Sequence, residues 1–223
     1  MKIDQNIISK DNFFNQDKTR LWFFKLKGYQ KINSDEEIKI ARDLSPRMSE
    51  RFLETRGYIR ESLSSLFKIE PLSVPIIAYP NKPPQLPNNL GYISISHTKD
   101  ALIIAWDKKR IGVDMERKDR IFNYKLLSKK LLRNSNQDVF KDKFDILNFW
   151  CGLESAIKWE RGSIIRDMDS WKFNKRNNIF SNKDKKIHLS INQFYFYSWT
   201  ISIASKKEYK NHIVCTKENE KFL

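Results

Sequence analysis

The chain has 223 residues, 40% hydrophobic and 13% aromatic, which is enough to bury a core in one large domain or two small ones. It has no apolar run of transmembrane length, and its two cysteines, Cys151 and Cys215, are too few for a disulfide scaffold. The 42 basic against 27 acidic residues give a net charge of +15. Such an excess favours anionic partners without choosing among nucleic acid, a membrane surface, a phosphorylated ligand or an acidic protein.

Met1-Lys2-Ile3-Asp4-Gln5-Asn6 lacks the apolar stretch of a signal peptide, so the expectation is a cytoplasmic protein with reduced thiols. Leu21-Trp22-Phe23-Phe24, within Arg20 to Lys25, predicts a first strand. Asn33 or Ser34 ahead of Asp35-Glu36-Glu37 reads as a helix start, a cap followed by acids, with Ile38, Ala41 and Leu44 on one face. Ser45-Pro46 opens a second helix, with Pro at its first position and apolar residues from Met48 to Phe67 at helical spacing. Arg51, Arg56 and Arg60 lie on that helix. Six of the seven prolines fall between Pro71 and Pro87, which predicts an extended surface loop.

Tyr92-Ile93-Ser94-Ile95-Ser96-His97 alternates as a strand does, and Thr98-Lys99-Asp100 turns. Ala101 to Trp106 predicts a strand buried on both faces, and Ile111 to Glu116 the third strand of a meander. Residues 121–147 have a polar helical pattern that breaks across Arg133 to Asp138, and Phe149 to Arg161 predicts a further helix. Trp171 to Phe180 and Lys186 to Ile191 read as strands, with Asn177-Asn178 as a turn candidate. Phe194 to Ala204 has strand composition, and the charged tail from Lys206 is expected to fray. The order of helices, meander, helices, meander predicts an α+β fold with two similar halves joined near residue 110, without repeated sequence.

The chemistry concentrates in two strings. In a strand, Ile111, Val113 and Met115 would enter a core while Asp114 and Glu116 share the other face. Gly112 would let a ligand or another backbone approach. Two adjacent carboxylates repel, and a hard divalent cation is the usual offset. On the helix, Glu154 and Lys158 stand one turn apart on one face and could add a third carboxylate and a cation. His97, beside Ser96 at a strand end, could bind a phosphate. No zinc-ligand spacing, phosphate-cradling glycine loop or nucleophile elbow is present.

Gly112-Val113-Asp114-Met115-Glu116 resembles the G-[IV]-D-x-E motif of the 4′-phosphopantetheinyl transferases. Trp150 to Lys158 resembles their W-x-x-K-E-[AS]-x-x-K motif, Ile95-Ser96-His97-Thr98 their [IL]-S-H-[ST] motif, and Asn81-Lys82-Pro83 their upstream G-K-P. The likeness runs from about Arg51 to Lys158, and the length fits the larger, Sfp-like class. It implies a pseudo-dimer of two α+β halves, residues 1–109 and 110–223, each with a small antiparallel sheet packed on helices. It implies Mg²⁺-dependent transfer of the 4′-phosphopantetheine arm of coenzyme A to a serine of an apo acyl or peptidyl carrier protein, releasing 3′,5′-ADP. The partner would be an acidic carrier, with no membrane involvement and a monomeric enzyme.

By the same resemblance Asp114, Glu116 and Glu154 would hold the metal, with Glu154 also the general base for the serine, directly or through a water. Lys158 would neutralise the phosphates, and Lys82, Ser96 and His97 would contact coenzyme A. Arg56, in an R-F-x-x-x-R pattern with Arg51, would meet the 3′-phosphate or pyrophosphate. Leu153 stands where the family carries Lys, Asn81 where it carries Gly, and an acid usual after an F-S motif has no match near Leu127-Ser128. Two other readings compete: a degenerate relative that binds coenzyme A or carrier without transfer, and a basic nucleic-acid-binding protein. The last leaves both acidic strings unexplained.

Overall fold

The computed structural model describes residues 18–29, 31–77, 82–87, 90–132, 140–206 and, for the backbone alone, 212–216. It is an α+β fold. Strand β1 (Thr19–Lys25) leads to helices α1 (Asp35–Arg42) and α2 (Pro46–Phe67), and then to β2 (Tyr92–His97) and β3 (Ala101–Asp107). Strand β4 (Gly112–Arg117) leads to α3 (Tyr124–Leu131), α4 (Lys143–Glu160) and the short α5 (Ile164–Asp167). Strands β5 (Trp171–Asn174), β6 (Ile179–Asn182), β7 (Ile187–Phe196), β8 (Trp199–Ser205) and β9 (His212–Thr216) complete the described chain. Among the described residues no helix is long and apolar enough to cross a membrane.

The strands form two sheets, ordered β2-β3-β1-β9 and β4-β8-β7-β6-β5. All neighbours are antiparallel except β1 and β9, which are parallel. One connectivity occurs twice. A strand (β1 or β4) is followed by helices and later by a hairpin (β2–β3 or β7–β8) whose second strand pairs antiparallel with the first strand, with β5 and β6 inserted ahead of the hairpin in the second case.

Alternation along the strands explains the layers. Leu21 and Phe23 of β1, Ile103 of β3, Val113 and Met115 of β4 and Ile201 and Ile203 of β8 share one core between the sheets. The next residues along, such as Phe24 and Ile104, face α2 and pack on Tyr58, Ile59 and Leu63. On the other side Phe149, Leu153 and Ile157 of α4 pack against Phe180, Leu189 and Ile191 of the second sheet. The layers therefore run α2, first sheet, second sheet, α4; β3 is buried on both faces, as the apolar pattern of Ala101 to Trp106 predicts, and so is β8.

The helix starts follow the capping logic. Ser34 and Glu37 form a reciprocal capping box on α1, and Pro46 occupies the first turn of α2. The buried face of α1 differs from the expected one: Ile38 is exposed and Leu44 lies past the helix end, while Glu37 and Ala41 are buried. Glu37 goes inside because Arg60 of α2 donates to it at 2.7 Å. Arg60 also donates to the carbonyls of Pro71, Leu72 and Val74, which ties the proline loop to α2.

Other pairings depart from the sequence reading. Ile111 to Glu116 is not the third strand of the first meander: β4 pairs with β8 in the second sheet and only runs beside β2. The tail from Lys206 gains a strand, because the apolar and β-branched run His212–Thr216 completes the edge of β1. Trp171 to Phe180 is two strands joined by a turn that includes Asn177-Asn178, and Phe194 to Ala204 spans a hairpin turned at Tyr197-Ser198. Helix α4 starts at Lys143, six residues ahead of Phe149, because Asp142 Oδ1 accepts from the N–H groups of Phe144 and Asp145 at 2.7 and 2.9 Å. The expected break at Arg133 to Asp138 lies outside the described residues.

Candidate active site

Gly112 sets the site. A Cβ there would lie 2.0 Å from Ser155 O and 2.5 Å from Trp159 N, so the missing side chain admits the backbone of α4 against β4. With Val113 and Met115 in the core between the sheets, Asp114 and Glu116 turn toward α4. Glu154 and Lys158, one turn apart, meet them there. Ligand atoms of Asp114, Glu116 and Glu154 lie within 4.8 Å of one another.

The cluster is held from several sides. Lys158 Nζ donates to Asp114 Oδ1 at 2.6 Å and stands 4.0 Å from Glu154 Oε2. Ser96 Oγ donates to the same Asp114 oxygen at 2.7 Å, and the Val113 N–H donates to Ser94 Oγ at 2.9 Å. These bonds fasten β2 to β4 where no backbone ladder joins them. Arg120, on the exposed side, pairs with Glu116.

The electrostatics call for a cation. Burial, then the charge of Asp114, pushes Glu154 up to about 8 despite Lys158. The same two causes, in the same order, raise Glu116. Burial works against the charge of Lys158, but Asp114 and Glu154 more than offset it and hold its pKa above the ordinary value. Asp114 Oδ2 is buried without a hydrogen-bond partner. A carboxylate oxygen left bare among two further carboxylates fits a hard, oxygen-binding dication such as Mg²⁺, which Asp114, Glu116 and Glu154 could hold.

A cleft opens beside the cluster. Lys158 and Trp159 of α4, Ile93 and Ser94 of β2, and Pro83 and Pro84 of the proline loop are among its walls. Lys82, next to Pro83, is exposed, and Asn81 lies outside the described residues. His97 is exposed at the end of β2, where burial of its inner part and the cations Arg51 and Lys158 keep its pKa below the ordinary value.

Arg56 is placed differently from the other expected site residues. It is 4% exposed, its guanidinium lies 5.0 Å from the Phe52 ring, and one terminal nitrogen has no partner. Burial, with a smaller contribution from neighbouring Arg60, lowers its pKa. It is an interior arginine of α2, not a residue of the cleft wall. Arg51, the other arginine of that pattern, donates to the carbonyls of Thr98 and Lys99 at 2.9 and 2.8 Å, and so orders the turn after His97. Leu153 is fully buried in the core between α4 and the second sheet, so that position faces apolar packing.

Sequence reasoning missed Arg110, Arg120 and Arg161. Each sits outside the motifs, and only the fold brings Arg120 to Glu116 and Arg110 and Arg161 to the cleft. No protein-family model and no curated protein matches this chain, so the site is characterised by its own geometry.

Proposed function

We propose that the protein is a 4′-phosphopantetheinyl transferase of the larger, pseudo-dimeric class, acting on coenzyme A and the serine of an apo carrier protein. The observation that carries this reading is convergence. Ser96, the Asp114–Glu116 pair and the Glu154–Lys158 pair come from separate stretches of chain, yet they share one contact network. Pro83 and Lys158 line one cleft beside it. The connectivity repeated from β1 to β3 and from β4 to β8 supports two related halves.

Asp114, Glu116 and Glu154 would hold the magnesium, which supplies charge neutralisation for phosphate oxygens. Lys158 adds a second cation where the pyrophosphate would lie. Ser96 and Lys158 fix the Asp114 carboxylate, leaving its other oxygen open to the site. The carrier serine oxygen attacks the β-phosphorus and forms the new P–O bond. The bond to the departing 3′,5′-ADP oxygen breaks, and the serine proton passes to Glu154. A bound dication would offset the burial and the Asp114 charge that raise the pKa of Glu154, and so leave it ionised to accept that proton. The cationic surface of a +15 chain suits an acidic carrier protein.

Incubating the protein with an apo carrier protein, coenzyme A and Mg²⁺ should give a carrier heavier by one phosphopantetheine arm in mass spectrometry. No transfer to carriers that a known transferase modifies in parallel would refute the proposal.

A further inference from the structure

The two halves are not equal. The second carries β5 and β6, which have no counterpart among the described residues of the first. With the start of β7 they extend the second sheet past the core shared with the first, which takes Phe194 and Phe196 from β7 and nothing from β5 or β6. Alternation sends Trp171, Phe180 and Leu189 toward α4. The opposite face is left with two rows in register: Lys172, Ser181 and His188, then Asn174, Ile179 and Ser190. Lys172, Asn174 and His188 are exposed, and the other three are half-buried. Ser181 Oγ and His188 Nδ1 share a hydrogen bond at 2.9 Å.

Cations frame this face. Residues 172–188 hold six Lys or Arg against one acid, Asp184, so an anion meets a strong net positive charge there. Lys175 and Arg176 stand in the β5–β6 turn, and Lys183, Lys185 and Lys186 in the β6–β7 turn; all five are exposed, and Lys185 pairs with Glu160. Strand β6 has four residues, so the two turns lie roughly 13 Å apart. Each turn is fixed by its own bonds. The Arg176 N–H donates to Asn174 Oδ1 at 3.0 Å, and the Lys185 N–H donates to Asn182 Oδ1 at 3.2 Å. Lys186 holds φ 52°, a conformation that favours Gly or Asn. The cations therefore project from ordered turns at both ends of a polar sheet face.

The composition of the face selects the partner. No aromatic ring lies in either row, so unpaired bases find nothing to stack on. Its apolar content is Ile179 alone, whereas a protein interface centres on aromatic or aliphatic anchors and a membrane-bound surface inserts apolar side chains. Hydroxyl, amide and imidazole groups flanked by lysines suit the 2′-hydroxyls and phosphates that an A-form duplex displays across its wide, shallow minor groove. We infer that the β5–β7 face is a docking surface for double-stranded RNA, bound through its backbone and without sequence preference. The face lies three to four strand spacings, about 14–19 Å, from β4 and on the side of the sheet away from α4. It is separate from the carboxylate cluster, and the inference is independent of the transferase reading.

The test is fluorescence anisotropy of the full chain with a labelled RNA duplex of about 20 base pairs, set against a DNA duplex and single-stranded RNA of the same sequence. The RNA duplex should bind about tenfold or more tightly than either, and its affinity should fall by about a hundredfold between roughly 50 and 200 mM salt. A triple variant, Lys172→Gln with Lys183→Gln and Lys186→Gln, should lose about tenfold or more and reduce the salt slope by about one per cation removed, with its melting midpoint and carrier transfer unchanged. A control that removes the same charge from exposed residues of the first half, Lys39→Gln with Arg42→Gln and Arg47→Gln, should lose less than about threefold. Ser181→Ala should weaken the RNA duplex alone. Equal or tighter binding of DNA or single strands, an equal loss in the control, or binding of anionic vesicles or an acidic carrier through this face without RNA would overturn the inference. If the RNA duplex binds in a Lys172-dependent way while transfer fails, the transferase reading falls and the RNA surface stands.

Discussion

Asp114 meets Ser96 and Lys158 through one oxygen and leaves the other bare, all from a side chain 2% exposed. Asp114→Asn keeps the shape but removes the charge that Lys158 and a cation both need. Transfer should fall by roughly a hundredfold or more, the usual scale for losing one preorganised electrostatic group, with little change in far-ultraviolet circular dichroism. Glu154 carries a pH signature. Its folded-state pKa of about 8 lies above the ordinary 4.5, so between those values the folded protein holds a proton that the unfolded chain has lost. Stability of the metal-free protein should therefore fall as pH rises from about 4.5 to about 8. Thermal melts across that range should show a declining midpoint, Glu154→Gln should flatten the decline, and added Mg²⁺ should reverse it at high pH. A metal-free midpoint that rises through this window would contradict the assignment. At this scale the sequence was most informative, since the alternation around Val113 places Asp114 and Glu116 together, and a four-residue step does the same for Glu154 and Lys158. Helical spacing does not say which side of α2 meets the core, and Arg56 lies on that side.

The contact of β4 with α4 depends on one absent side chain. Gly112→Ala puts a methyl group against Ser155 O and Trp159 N, backbone atoms that cannot turn aside. We expect a loss of roughly 1–3 kcal/mol in denaturant melts, as for overpacking, and a larger loss of transfer activity because Glu154 and Lys158 shift with the helix. Leu153→Lys should also be harmful. It would place an ammonium in the packing of Phe149, Ile157 and Leu189, costing roughly 3–5 kcal/mol as an unpaired buried charge, with no gain in turnover. A faster and equally stable Leu153→Lys protein would show that this side chain reaches the phosphates. Elements were legible where local signals suffice: the Ser34 capping box, Pro46 at a helix start, and the alternating β2. Pairing was not. Residue alternation fixes the face that each residue of β4 presents, but its neighbour, β8, lies far along the chain, and local pattern does not choose it.

At the scale of the molecule, two sheets back to back give one shared core and two outer ones, each covered by a long helix. If the protein is a transferase, the net charge of +15 should steer an acidic carrier toward it. Raising ionic strength from low to physiological should slow carrier association in stopped-flow measurements while leaving turnover at saturating carrier nearly unchanged. An association rate insensitive to salt would locate recognition in apolar contacts. The parallel pairing of β9 with β1 bears on how the chain reaches this state. Thr19 cannot meet His212 until almost all of the described chain has been synthesised, so the edge of the first sheet closes last, across the largest loop in the fold. Until then β1 offers an unpaired edge during synthesis, which makes the nascent chain vulnerable to aggregation in a way the finished protein is not.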